Sequence, residues 1–247
     1  MKINKVILSS DSNILYIDFW ESVSKVWKEK FNIDPILLLV SNDNIDMDQT
    51  YGKVLRFNII EELPIYLQTL WIRYWATSLF EDDICIISDI DMYPLSKQYF
   101  IDQIKDIDDD KYVHINPCYQ SYGTLPSCYH IAKGSLYKEI LNLHDKWEDS
   151  INHLFNLNIG RDPGGVLSSK NHWFADEIYS SNKIFNYKEE NPDKIKFLYR
   201  EEGRRIDRSS WFYDEDKLSE GWYYDSHSIR PYDRYEELIQ KMISKIQ

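Results

Sequence analysis

Two carboxylates stand two residues apart in the stretch Ile84-Cys85-Ile86-Ile87-Ser88-Asp89-Ile90-Asp91-Met92-Tyr93-Pro94. On extended chain, residues i and i+2 point to one side, so Asp89 and Asp91 face a common space. Two anions placed this way repel unless a cation lies between them, and hard oxygen ligands suit Mg²⁺ or Mn²⁺ carrying substrate phosphates. The same residues also read as a plain acidic turn after a strand. Just upstream, Arg73 is the single charged residue between positions 68 and 80. In a helix that is apolar nearly all round, a guanidinium either needs an anion or snorkels to water at the helix edge. The carboxylate pair or a diphosphate would supply that anion.

Further along, Trp173-Phe174-Ala175-Asp176-Glu177 opens a short helical segment with an aromatic pair and two carboxylates. Acids in a first turn are favoured by the helix dipole, so they read either as helix-start residues or as chemistry. The loop Gly160-Arg161-Asp162-Pro163-Gly164-Gly165 precedes them and could close over a substrate. Arg200, Arg204, Arg205 and Arg208 cluster around Gly203, as a solvated face or as a flap closing on phosphates. His114 and His130 alternate with apolar residues in strand-like runs and read as hydrogen-bonded structural histidines, not metal ligands.

These residues need a frame. Residues 5–8 form a short apolar strand ending in Ser9-Ser10-Asp11-Ser12. Residues 14–31 carry apolar side chains at helical spacing, and residues 36–40 form an uninterrupted apolar strand followed by Ser41-Asn42-Asp43-Asn44. The βαβ pattern that results implies a parallel sheet. Residues 53–57 give a third strand, 61–80 a long helix, and 84–87 a strand buried on both faces. In open α/β sheets, ligands sit beyond the carboxyl ends of strands at a switch point, which is the address of Asp89 and Asp91. Strands are expected at 112–115 and 127–132, a helix from 134 to near Trp147, and a closing amphipathic helix at 235–246. No Gly-x-Gly-x-x-Gly follows the first strand and no P-loop motif occurs, which argues against a dinucleotide fold or a P-loop.

Composition narrows the classes. The 247 residues carry a formal net charge of −12, which disfavours a protein that tracks nucleic-acid phosphates. Three cysteines, Cys85, Cys118 and Cys128, do not make a disulfide framework and fit a reducing compartment. No uncharged apolar run is long enough to span a bilayer, and the first residues lack a signal-peptide core. The expectation is a soluble cytoplasmic protein of one domain.

From Gln68 to Leu95, the helix with its single Arg, the acidic turn, the apolar strand and Asp-Ile-Asp followed by Pro resemble the nucleotide-sugar half of GT-A-fold glycosyltransferases. The resemblance implies an α/β fold with a mostly parallel sheet flanked by helices. Residues 1–95 would form the nucleotide-sugar half and 96–247 the acceptor half. It implies a metal-bridged diphosphate on Asp89 and Asp91, and nucleoside contacts from the loops carrying Ser9, Asp11, Asn42 and Asp43. It also implies that an acid near the aromatic pair, Asp176 ahead of Glu177, serves as general base in an inverting transfer. Near the end, His227, Arg230, Pro231 and Tyr232 resemble a shortened form of the C-terminal motif of glycogenin-like families, with Arg in place of Lys. That likeness implies His227 as third ligand of Mn²⁺ or Mg²⁺, since a borderline metal accepts imidazole beside carboxylates, and Arg230 as a diphosphate contact. The implied donor is a nucleoside-diphosphate sugar, foremost a UDP-sugar, and the acceptor a glycan or other hydroxyl compound. Two other classes stay open: a non-catalytic sugar-nucleotide or glycan-binding module, and a haloacid-dehalogenase-like phosphatase. In the phosphatase the Asp-x-Asp follows the first strand, whereas here it follows about three.

Overall fold

The computed structural model describes residues 1–115, 123–161 and 171–246. The first half is built on four parallel strands, β1 (Lys5–Ser10), β2 (Asp34–Val40), β3 (Lys53–Phe57) and β4 (Ile84–Ile87), in the spatial order β3-β2-β1-β4. Beyond β4 the seven-stranded sheet continues through β7 (His130–Lys133), β6 (Tyr112–Ile115) and β8 (Ile195–Leu198). Here β7 is antiparallel to both of its neighbours and β8 is parallel to β6. The architecture is α/β, with a mostly parallel central sheet flanked by helices.

Strand alternation divides the core in two. Val6, Leu8, Leu37, Leu39, Ile84 and Ile86 face one layer, where Trp20, Val23 and Trp27 pack. Ile7, Ile36, Leu38, Val40, Cys85 and Ile87 face the other, where Leu67, Trp71, Ile72 and Trp75 pack. Those second-layer residues lie on helix α3 (Ile65–Thr77). The expected helix over 14–31 is broken into α1 (Ile14–Ile17), α2 (Trp20–Lys25) and a π-helical turn, Val26–Lys30, that continues it. The expected helix beyond residue 134 also ends early. Helix α4 (Gly134–Leu141) stops at Asn142, whose φ of 50° is left-handed, and α5 (Trp147–Asn156) starts afresh. Gly134 is fixed by close approach, since a Cβ there would stand 2.2 Å from the Thr77 carbonyl at the end of α3 and 2.3 Å from that of Phe80. Helix α6 (Ala175–Glu190) runs far beyond the short segment expected at Trp173.

His130 Nε2 donates to the Pro126 carbonyl (2.7 Å), its Nδ1 accepts from the Tyr112 hydroxyl (2.8 Å), and the Tyr74 hydroxyl lies 3.1 Å from Nε2, which ties α3 to the second half of the sheet. His114 packs against it, and burial lowers the proton affinity of both imidazoles. Cys85 and Cys128 are free and buried, while Cys118 lies outside the described residues.

A second, three-stranded sheet closes over the C-terminal end of β4. Its strands are β5 (Met92–Pro94), β9 (Arg205–Asp207) and β10 (Asp225–His227), in the order β5-β10-β9. Two further helices, α7 (Glu215–Ser219) and α8 (Tyr232–Ser244), flank it in sequence. Three-residue strands do not hold themselves, and here the fastener is ionic. Asp225, fully buried, takes hydrogen bonds from Arg205, from Arg200 (3.2 Å) and from the Tyr129 hydroxyl (3.0 Å). Burial works to raise the Asp225 carboxyl, and the two guanidinium groups overcome it and hold the acid below the usual carboxylate range. Two of the four clustered arginines therefore serve a buried acid and not a solvated face. Asp225→Ala should destabilise the protein by about 3–5 kcal/mol in denaturant unfolding, because two guanidinium groups lose their counter-ion. An unchanged midpoint would show that packing alone holds the small sheet.

Candidate active site

The strand order creates the crevice. The chain leaves β1 toward β2 and β3 on one side and returns to β4 on the other, so the loops after β1 and β4 diverge at a switch point. Ser9, Ser10 and Asp11 lie at the end of β1, and Ser88 and Asp89 follow β4. Ser41, Asn42 and Asp43 follow β2, one strand away. Several of these side chains shape their own loops. Ser9 Oγ donates to the Thr69 carbonyl (2.6 Å), Asp11 accepts from the Asn13 amide (3.0 Å), Asn42 accepts from the Ile59 amide (2.9 Å), and Ser41 Oγ accepts from the Asp43 amide (3.0 Å).

Helix α3 borders this crevice with one face. Tyr66, Thr69 and Arg73 recur at helical spacing, and each meets a different part of the site. The Tyr66 ring lies 5.3 Å from the exposed ring of Trp173, Thr69 holds Ser9, and Arg73 reaches the carboxylates. Arg73 is only 2% exposed. Its Nη1 donates to Asp89 Oδ1 and to the Ser88 carbonyl (3.2 Å), while Nη2 finds no partner among the described residues. Burial works to raise the Asp89 carboxyl; the charge and hydrogen bond of Arg73, with His227 and Arg205 behind, hold it below the usual range.

Asp176 also bears electrostatically on Arg73. It is 1% exposed and accepts a hydrogen bond from Ser127 Oγ (2.6 Å), while the Ser127 amide donates to Glu177 Oε1 (3.2 Å). Burial raises Asp176, with Arg73 and Ser127 opposing. Burial, and then the charge of Asp176, push Glu177 up to about 8. Asp176 is buried and Glu177 half-buried, so of the two acids expected as the base Glu177 is the more accessible. Trp173 and Phe174, both exposed, stand at the head of the same helix.

A second cluster gathers on Asp91, itself 4% exposed. Arg208 Nη1 lies 3.1 Å from its Oδ2, His227 Nε2 3.5 Å and Arg230 Nε 3.7 Å. The small sheet assembles them: β10 sets His227 opposite Met92 of β5 and Asp207 of β9, and Arg208 follows Asp207. His227 Nδ1 faces Asp207 at 3.8 Å, and the Arg230 guanidinium lies over the Tyr16 ring at 4.6 Å. Of the four arginines clustered around Gly203 in the sequence, Arg208 is the one that reaches Asp91. Asp207, Ser127 and Tyr16 had no signal at all.

The donor chemistry fits a divalent cation at two of the three residues expected. Asp91 Oδ2 and His227 Nε2, 3.5 Å apart, are an oxygen and a nitrogen that one ion could join. Asp89 is turned to Arg73, and among the described residues no three His, Cys, Asp or Glu side chains are grouped to hold a metal. The segment 162–170, which carries most of the Gly-Gly loop, lies outside the described residues. Among the described residues no helix is long and apolar enough to cross a membrane.

No family model matches the sequence, and no curated protein matches it. Among solved structures, the chain is similar to the galactosyltransferase LgtC, determined in complex with donor and acceptor sugar analogues. The identity is 10% and the TM-score 0.49, over 98% of this chain and 96% of that one. It is also similar to a glycosyltransferase involved in glycosylation of the major capsid of PBCV-1, at 9% identity and a TM-score of 0.48, over 96% of this chain and 99% of that one.

Arg73 holds the first cluster together. Arg73→Ala should lower stability by about 3–5 kcal/mol, because Asp89 and Asp176 are left facing one another without their cation. Chemical denaturation of the variant measures this, and a wild-type unfolding curve would reduce Arg73 to a spectator.

Proposed function

We propose that the protein is a glycosyltransferase of GT-A type that moves a sugar from a nucleoside-diphosphate sugar, with UDP-sugars the first donors to test, to a hydroxyl of a glycan acceptor. The observation that carries this reading is the convergence of charged groups at the switch point. Helix α3 meets the β1 loop through Thr69 and the Arg73–Asp89 pair beside the cluster on Asp91, and Glu177 lies in the first turn of the helix that the exposed Trp173 and Phe174 precede.

In this reading Ser9, Asp11, Asn42 and Asp43 border the nucleoside. Arg230 meets the diphosphate, and Arg73 keeps Asp89 ionised and turned into the crevice. Asp91 and His227 would hold Mn²⁺ or Mg²⁺. Such an ion, when bound, supplies charge neutralisation for the departing diphosphate. Trp173 and Phe174 offer apolar faces on which an acceptor sugar can stack. Glu177 takes the proton of the acceptor hydroxyl as that oxygen attacks the anomeric carbon. The bond from that carbon to the diphosphate oxygen breaks, and the configuration inverts. Asp176, buried behind Glu177, raises its basicity and keeps Arg73 in place.

Incubation with a panel of nucleotide sugars, with metal and after chelation, tests the reading; turnover that survives chelation unchanged would remove the metal from it, and absence of both turnover and donor binding across the panel would overturn it. Binding without turnover would leave a non-catalytic module. Glu177→Gln should lower turnover by about 10²–10⁴-fold while donor binding persists. Because the base must be deprotonated and Glu177 is pushed up to about 8, wild-type kcat/KM should rise with pH and level off above about 8. A profile flat from neutral pH upward would take Glu177 out of that role. Product anomeric configuration by NMR decides between inversion and retention.

A further inference from the structure

The charge on Asp91 is over-compensated. One guanidinium is enough to neutralise a buried carboxylate, yet two, Arg208 at 3.1 Å and Arg230 at 3.7 Å, converge on the same oxygen together with the His227 imidazole. Two further acids bear on the imidazole: Asp207 lies 3.8 Å from Nδ1, and Asp89, itself paired with Arg73, interacts with it electrostatically. Arg208 uses a single nitrogen, Nη1, for its contact with Asp91 and is about one-third exposed, which leaves the rest of its planar fork facing out of the cluster. It is anchored from below: β9 pairs with β10 in register, and Arg205, three residues before Arg208, is locked on the buried Asp225. The guanidinium is thus presented on a fixed strand end and not on a free tail.

We infer that Arg208 is a diphosphate-binding residue, which together with Arg230 grips the phosphate oxygens of a nucleoside diphosphate from the side opposite Asp91. Asp91 acts as the tether that orients both forks. A planar guanidinium matches two phosphate oxygens at once, and such charge-assisted pairs are about twice as strong as neutral ones. The assignment rests on the nucleotide-sugar reading above and adds to it a residue that no sequence motif marks. It also places part of the neutralisation of the leaving group on this chain's own cations.

The experiment titrates UDP, GDP and inorganic pyrophosphate calorimetrically into the wild-type protein, Arg208→Ala and Arg208→Lys. Titrations are run with and without Mn²⁺, alongside unliganded thermal midpoints. Arg208→Ala should weaken binding of the preferred nucleoside diphosphate by about 10–100-fold. Arg208→Lys should recover only part of it, because a point charge does not replace the fork. If Arg208 merely neutralises Asp91, the Ala variant will lose thermal stability and Lys will restore it, with diphosphate affinity at the wild-type value in both; that result overturns the inference and leaves the glycosyltransferase reading standing. A wild-type protein that binds none of the three probes in either condition takes down both. Should Arg208→Ala fail to fold, the Lys variant decides alone, through a folded protein with either reduced or unchanged affinity.

Discussion

A guanidinium inside the molecule is the constraint on which the site depends. Arg73 sits on a helix whose other side chains pack against the sheet, and at 2% exposure it has lost nearly all contact with water. Removing such a charge from water costs several kcal/mol, and the loss is offset only if anions meet it with good geometry. Two elements far apart in sequence supply them. The turn after β4 brings Asp89, and the first turn of α6 brings Asp176. The position of Arg73 therefore fixes how α3, β4 and α6 converge, and the convergence is what forms the crevice. The same pairing explains why two acids on adjacent residues of α6 behave differently. Asp176 accepts from the Ser127 hydroxyl and bears on Arg73, and Glu177, about 100° further round the helix, accepts from the Ser127 amide and is half-buried.

The cluster on Asp91 is built by a different principle. Each of its cations comes from a short strand or turn that has little stability of its own, and the buried Asp225 network binds those strands together. Asp225 and His227 lie on the same strand two residues apart, so the acid that locks the sheet also sets the register of the imidazole. The arrangement separates the task of folding, carried by Arg200, Arg205 and Tyr129, from the cations left beside the crevice, Arg208 and Arg230. Four arginines that look alike in sequence thus divide, Arg200 and Arg205 facing inward, Arg204 stacking on Trp222 at 3.3 Å, and Arg208 reaching the site.

What could be read from the sequence follows from range of interaction. The strands expected over residues 36–40 and 84–87 announce themselves because continuous apolar runs between polar loops admit few other solutions, and those at 53–57 and 112–115 carry apolar residues interrupted by single polar ones. Arg73 and Asp89 could be singled out for the same reason, a charge being conspicuous against an apolar background. Strands β5, β9 and β10 carry no such signature. At three residues each they exist only through partners distant in sequence, β9 pairing with β10 20 positions away and Met92 of β5 with His227. The break between α4 and α5, residues 142–146 opening on left-handed Asn142, carries apolar Leu143 at helical spacing and no Gly or Pro to mark it. The different burial of Asp176 and Glu177 is not legible either, since adjacent helix positions differ only in which neighbour they meet.

The protein's net charge and the charge of its crevice have opposite meanings for a phosphate ligand. At −12 overall, the surface would repel a diphosphate of the kind proposed, but only weakly beyond the screening length of about 8–10 Å at physiological ionic strength. Within that distance such a ligand would meet Arg208 and Arg230 next to the buried Asp91, with Arg73 behind, in surroundings where each charge acts more strongly than in water. Attraction is thus confined to a spot a few ångströms across. A polyanion that tracks along a surface gains nothing from so local a site, whereas a small diphosphate can place its whole charge within it. In the proposed reading, the acidic surface and the arginines beside Asp91 would therefore act together as a filter on ligand size.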